Sequence, residues 1–107
     1  MIRHYNDSHM KQVHLYVKGD VIGVGFRAWS KIQAKLKGIT GWARNVHDDS
    51  HRFGLQGGIE IVAQGEESAL GDYVAKIKEG SPISRVDDVE ILVEDVKEAF
   101  DNFEIVK

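Results

Sequence analysis

The 107-residue chain has no cysteine. That absence excludes a disulfide framework, a Cys₂His₂ zinc site, a CxxC redox pair and a thiolate nucleophile, so any hydrolysis must proceed without sulfur. It also fits a reducing compartment, and the cytoplasm is the expected location. Long apolar runs are missing as well. Nothing approaches the roughly 18 residues of a membrane span, and the N-terminus lacks the apolar core of a signal peptide, so no membrane partner is expected. The third absence is a basic stripe. Fourteen Lys and Arg against seventeen Asp and Glu give a net charge of -3 with no dense basic block, which argues against nucleic acid as a partner. What remains is a length suited to one monomeric domain that buries somewhat over roughly 60% of its unfolded surface.

Residues 1–10, MIRHYNDSHM, are polar and aperiodic and end in Ser8-His9-Met10. They read as a disordered extension of the kind left by expression cloning or an alternative start, ahead of a domain over residues 11–107. Gln12 to Lys18 alternates strictly, with Val13, Leu15 and Val17 on one face and His14, Tyr16 and Lys18 on the other. That predicts a half-buried first strand. A glycine-rich turn follows, then Phe26, Trp29, Ile32, Gln33 and Leu36 at helical spacing, closed by Gly38 as a C′ residue.

Gly41 to His47 predicts a second strand with Trp42 and Val46 on one side, and turn-rich Asp48 to Gly58 leads into a third, Ile59 to Ala63. Leu70, Tyr73, Val74 and Ile77 mark a second amphipathic helix over Glu66 to Glu79, stopped by Gly80-Ser81-Pro82. Arg85 to Glu94 alternates with a break in phase at Asp87-Asp88 that suggests a bulge, and Phe103 to Val106 forms a short final strand. Because strands two and three make a hairpin, a doubly wound parallel sheet is excluded. The expected fold is α+β: a ferredoxin-like β-α-β-β-α-β antiparallel sheet with both helices on one face and a short extra C-terminal strand. Phe26, Trp29 and Trp42 are expected in the core between helices and sheet.

The stretch Gly19-Asp20-Val21-Ile22-Gly23-Val24-Gly25-Phe26-Arg27 joins a strand to a helix N-terminus. Closely spaced glycines let backbone N–H groups converge, and the helix dipole adds positive potential there, an arrangement suited to an anion. Arg27 strengthens that reading. A cation in the first helical turn opposes the macrodipole, yet its side chain leans back toward the N-terminus and over the loop. Gly23 to Ala28 also satisfies GxGxxA, but a dinucleotide site needs a parallel β-α-β unit closed by an acid, whereas the second strand here closes on Arg44-Asn45. No GxxxxGK[ST] is present. In the split β-α-β arrangement, strands one and two run parallel about two strand spacings, roughly 10 Å, apart, so Arg27 and Asn45 can reach one site.

The run Gly19 to Arg27, followed by Gly38-Ile39-Thr40-Gly41-Trp42-Ala43-Arg44-Asn45 and by Gly80-Ser81-Pro82, closely resembles the acylphosphatase family from about Lys11 to Lys107. The resemblance implies a ferredoxin-like fold and hydrolysis of small-molecule acyl phosphates without cofactor or metal. It further implies that Arg27 and the cradle of Asp20, Val21, Ile22, Gly23, Val24, Gly25 and Phe26 bind the phosphate while Asn45 positions the attacking water. Two positions depart from the family pattern: Asp20, where a basic residue is usual, and Ile22, where Gln is usual. A solvated carboxylate beside a bound dianion would oppose binding by about 1 kcal/mol unless it points away.

The stretch from His47 to Gly57 is longer than the family's tight hairpin and could project beside the site. Its His47, Asp48, Asp49 and His51 match no metal-ligand spacing and are expected to form a solvated loop. The competing expectation is a non-catalytic anion-binding or interaction domain that keeps this fold.

Overall fold

The computed structural model describes residues 10–107. The expectation for the N-terminal extension falls on residues 1–9, outside the described residues, while Met10 already pairs with Glu66. The elements are β1 (Met10–Asp20), α1 (Phe26–Leu36), β2 (Thr40–Val46), α2 (Ser50–Phe53), β3 (Gly58–Glu66), α3 (Glu67–Glu79), β4 (Arg85–Glu94) and β5 (Phe103–Ile105). They form one five-stranded sheet in the order β4-β1-β3-β2-β5. Among the described residues, no helix is long and apolar enough to cross a membrane.

Strand pairing aligns the apolar residues into rows on one face. Leu15 lies opposite both Ile61 and Ile91, and Ala43 lies opposite Ile61. Those rows pack against Phe26 and Ala34 of α1 and Leu70, Tyr73 and Ile77 of α3, so both long helices cover the same face. Each helix is amphipathic and supplies three buried positions. The alternation seen in residues 12–18 is therefore the inward and outward pattern of a central strand, flanked on both sides by antiparallel neighbours. The phase break in β4 is a bulge: Lys18 pairs with Asp88 but Gly19 with Val86, which leaves Asp87 unpaired.

The fold is the ferredoxin-like α+β arrangement, with three departures in detail. First, β5 joins the edge of β2 in parallel, so the sheet is mixed rather than wholly antiparallel. β4 ends at the edge of the sheet where β2 begins, so a strand that enters there after residues 95–102 runs in the direction of β2.

Second, the long β2–β3 connection carries a helix of its own. Asp49 caps α2 by accepting a bond from the Arg52 amide at 3.1 Å, and Phe53 is buried against Tyr16, ring centroids 6.0 Å apart. Tyr16 alternates with the core-facing Leu15 and Val17, so this helix covers the sheet face opposite α1 and α3. Third, Trp42 is on that opposite face too. The expectation of a core tryptophan fails there because Trp42 neighbours Ala43, whose side chain is the one turned to the helices; Trp42 instead meets His14 edge-on at 6.2 Å. Phe26 and Trp29 do pack in the core, 5.2 Å apart.

The face covered by α2 is polar and closely paired. His14 lies between Glu60 (2.5 Å) and Glu94 (3.1 Å), and Arg44 donates to the other oxygen of Glu60 at 2.5 Å. Gln64 is fully buried; it donates to Gln12 and to the Glu98 carbonyl and accepts from the Phe100 amide. These bonds fix residues 95–102 across the sheet on the way to β5.

Candidate active site

Helix α1 begins at Gly25, whose φ of 73° is left-handed, and Gly23 has a φ of 82°. Only glycine takes up such values without strain. A Cβ on either residue would have open space around it, so it is the backbone turn and not crowding that calls for glycine. No side chain caps this helix and no acid stands in its first turn. Its first N–H groups are therefore unclaimed by a cap, in the setting where helix N-termini take anions.

Val21, Ile22, Gly23, Gly25, Phe26, Arg27, Ala28, Asn45 and Ile105 line one cleft of about 250 Å³. The strand order explains the convergence. β3 separates β1 from β2, which brings the C-terminal ends of β1 and β2 to one edge of the sheet, with α1 starting above it. Asn45 stands opposite Ile59, in the row of Val17, and so on the face covered by the helices. Arg27 is half-buried, and its Nη1 points toward the Val106 carbonyl at 3.5 Å, a long contact that leaves its donors available. Ser30 donates to the Arg27 carbonyl at 2.8 Å and ties that turn to the helix interior. At about 250 Å³ the cleft is smaller than the roughly 300 Å³ at which pockets for drug-sized ligands begin. It suits a phosphate with a small substituent.

Two of the sequence-predicted residues do not line it. Val24 packs against the core. Asp20 is exposed and ends β1 opposite Arg85. The Arg85 guanidinium is held above its usual range chiefly by its hydrogen bond to Asp87, with a smaller contribution from the Asp20 charge. The carboxylate at position 20 thus faces the β4 side of the sheet and leaves the cleft without an acid. Ala28 and Ile105 are the lining residues that the sequence reading missed; Ala28 simply follows Arg27 in α1, and for Ile105 the short final strand was visible but its parallel seat beside β2 was not.

The loop residues weighed as metal ligands are dispersed: Asp49 caps α2, and His47 and Asp48 are exposed. Among the described residues, no group of three or more His, Asp or Glu side chains is close enough to hold a metal ion. A larger cleft of about 620 Å³ lies on the opposite sheet face, lined by Gln12, His14, Trp42, Glu94, Asp95 and Glu98 among others. Its three carboxylates against the single Lys97 disfavour a phosphate there.

A ferredoxin-like sheet that holds an uncapped helix N-terminus, an Arg and an Asn around one small cleft defines an α+β domain with a pocket of a kind suited to an anion. A family model described as Acylphosphatase matches residues 13–105. The chain belongs to the acylphosphatase family. It is 36% identical over 97 residues to an acylphosphatase of Bacillus subtilis, covering 91% of this chain and 98% of that one. With the acylphosphatase of Bacillus licheniformis it shares 40% identity over 98 residues, 90% of this chain and 98% of the relative. The crystal structure of acylphosphatase from Bacillus subtilis superposes with a TM-score of 0.79, over 91% of this chain and 99% of that one. An acylphosphatase structure from Coxiella burnetii matches at 30% identity and a TM-score of 0.79, over 92% and 94%.

Proposed function

We propose that this cleft hydrolyses a carboxylic-phosphoric anhydride to carboxylate and phosphate by direct in-line attack of water. The observation that carries the reading is the convergence of Arg27, Asn45 and the loop residues Val21, Ile22, Gly23, Gly25 and Phe26 on one small cleft. In this reading the loop amides and the first turn of α1 cradle the phosphoryl oxygens, and the Arg27 guanidinium supplies the positive fork above them. Asn45 holds a water by its side-chain amide on the side away from the leaving group. Water oxygen forms the new P–O bond as the bridging P–O bond breaks; the leaving carboxylate keeps the electron pair, and the water proton passes to solvent.

The chemistry fits the equipment. An acyl phosphate expels a carboxylate whose conjugate acid has a pKa of roughly 4 to 5, so no general acid is needed to protonate it. Positioning and charge stabilisation carry most of phosphoryl transfer. An unactivated phosphate ester would need a proton donor that the cleft lacks. In this reading the chain acts as a monomer, and the cytoplasm is its compartment. The test is hydrolysis of benzoyl phosphate by the purified chain, with inorganic phosphate as competitive inhibitor. Turnover that phosphate inhibits supports the reading. Phosphate binding at the loop without any turnover would instead support a non-catalytic anion-binding domain.

A further inference from the structure

The lining of the cleft is chemically of two kinds. Loop amides, Arg27 and Asn45 supply its polar lining, while Ile22, Ile105 and Ala28 supply apolar lining that is not fully buried in the core. An anion cradle alone needs no such apolar lining, and an aliphatic side chain beside a hydrated dianion gains nothing from it. The two isoleucines come from opposite ends of the chain, Ile22 from the loop after β1 and Ile105 from β5.

Ile22 is also braced. Its outer end meets Gly57 of the β2–β3 connection so closely that a Cβ there would come within 3.1 Å of Ile22 Cδ1 and 2.5 Å of the Val46 carbonyl oxygen. Asp49 and Phe53 anchor that connection through α2, so the extra length of the hairpin backs Ile22 from behind. Ile105 keeps 40% of its surface open to solvent. That surface is available to a ligand.

We infer that Ile22 and Ile105 determine specificity for the acyl half of the substrate, selecting apolar acyl groups, branched or aromatic, over small or charged ones. The inference rests on the hydrolase reading above and adds the substrate class. With phosphate on the cradle, the acyl carbon projects beyond the polar lining, and Ile22 and Ile105 are the apolar surface in the cleft able to cover it. A carboxylate-bearing acyl group would desolvate its charge there without a partner. Among the described residues, Arg27 is the one cationic side chain lining the cleft, and it is committed to phosphate.

The experiment compares kcat/KM for benzoyl, acetyl and succinyl phosphate in the unaltered chain, Ile22→Ser and Ile105→Ser, with the inhibition constant of inorganic phosphate measured in each. In the unaltered chain the benzoyl to acetyl ratio should exceed about tenfold, the low end for one apolar contact in an enclosed pocket, and succinyl phosphate should be the poorest of the three. Either serine variant should lower the benzoyl to acetyl ratio about three- to tenfold, with the phosphate inhibition constant within about twofold of the unaltered chain.

A ratio that does not move in variants that still turn over would overturn the inference. So would a phosphate inhibition constant that rises in step with the loss on benzoyl phosphate, because Ile22 would then act through the shape of the loop. Absence of turnover on all three substrates in the unaltered chain would refute the hydrolase reading itself, a result distinguishable from either of these.

Discussion

Replacing Arg27 by alanine separates catalysis from folding unusually cleanly at this position. The side chain stands in the first turn of α1, where a cation opposes the helix dipole by about 0.3–1 kcal/mol. Its one hydrogen bond in the structure, to the Val106 carbonyl, is 3.5 Å long and adds little. These contributions oppose each other, so Arg27→Ala should change stability by no more than about 0.5 kcal/mol, the scale of ordinary surface substitutions.

Activity should behave differently. Removing a single preorganised donor from an oxyanion site costs about 2.7–4 kcal/mol, and a guanidinium on a transferring phosphoryl group contributes at least as much. At about 1.4 kcal/mol per decade, kcat/KM on benzoyl phosphate should fall by about a thousandfold or more. Arg27→Lys should recover little of this, since an ammonium lacks the planar fork. The assay is the loss of benzoyl phosphate followed in the ultraviolet, beside urea melts of the same preparations. Activity within tenfold of the unaltered chain, at equal stability, would refute the reasoning.

Asn45→Ala should lower kcat by about a hundredfold or more while inhibition by phosphate stays within about threefold, because in the proposed mechanism the amide positions water rather than phosphate; steady-state kinetics with phosphate titration separates the two effects. Tyr73 is fully buried, and its hydroxyl lacks a hydrogen-bond partner among the described residues. Tyr73→Phe should therefore leave stability unchanged or raise it by up to about 1–2 kcal/mol in thermal or urea unfolding.

Phe53→Ala removes the anchor of α2 and should cost about 3 kcal/mol in the same melts. The Gln12 hydrogen bond holds the Glu94 carboxyl below its ordinary value of 4.5; partial desolvation opposes this, and His14 adds to the lowering. A depressed folded-state value gives stability that is present above the unfolded value and lost as pH falls through the folded one. Melting temperature should thus decline below about pH 4.5, and less steeply in Glu94→Gln.

Local patterns in the sequence carried most of the fold. The alternation through Val13, Leu15 and Val17 reports a central strand because its neighbours bury one face and pair along both edges. The phase break at Asp87-Asp88 reports a bulge because one unpaired residue shifts every later side chain to the other face. Arg27 and Asn45 were legible for a topological reason: parallel β1 and β2 with β3 between them must end at one edge.

What escaped depends on contacts between distant residues. Helix α2 is four residues long, too short for periodicity; its signals were Asp49 as a cap, Gly54 as a stop and Phe53 as an apolar residue with no partner in sequence. Trp42 was assigned to the core on its size, although the buried residue beside it, Ala43, fixes which side of β2 faces the helices. The cleft position of Ile105 follows from the parallel pairing of Ala43 with Ile105, a register that no local pattern encodes.

The seat of β5 beside β2 also has a consequence in time. Sixty residues separate Asn45 from Ile105, about 3–12 seconds of synthesis at roughly 5–20 residues per second. Loop, Arg27 and Asn45 can all have left the ribosome while one wall of the cleft and the carbonyl facing Arg27 are still unmade. On the proposed reading, a nascent chain therefore lacks the complete cleft until β5 docks. Any ligation or permutation that delays the last strand should delay the appearance of activity by the same interval, even where the sheet has already formed.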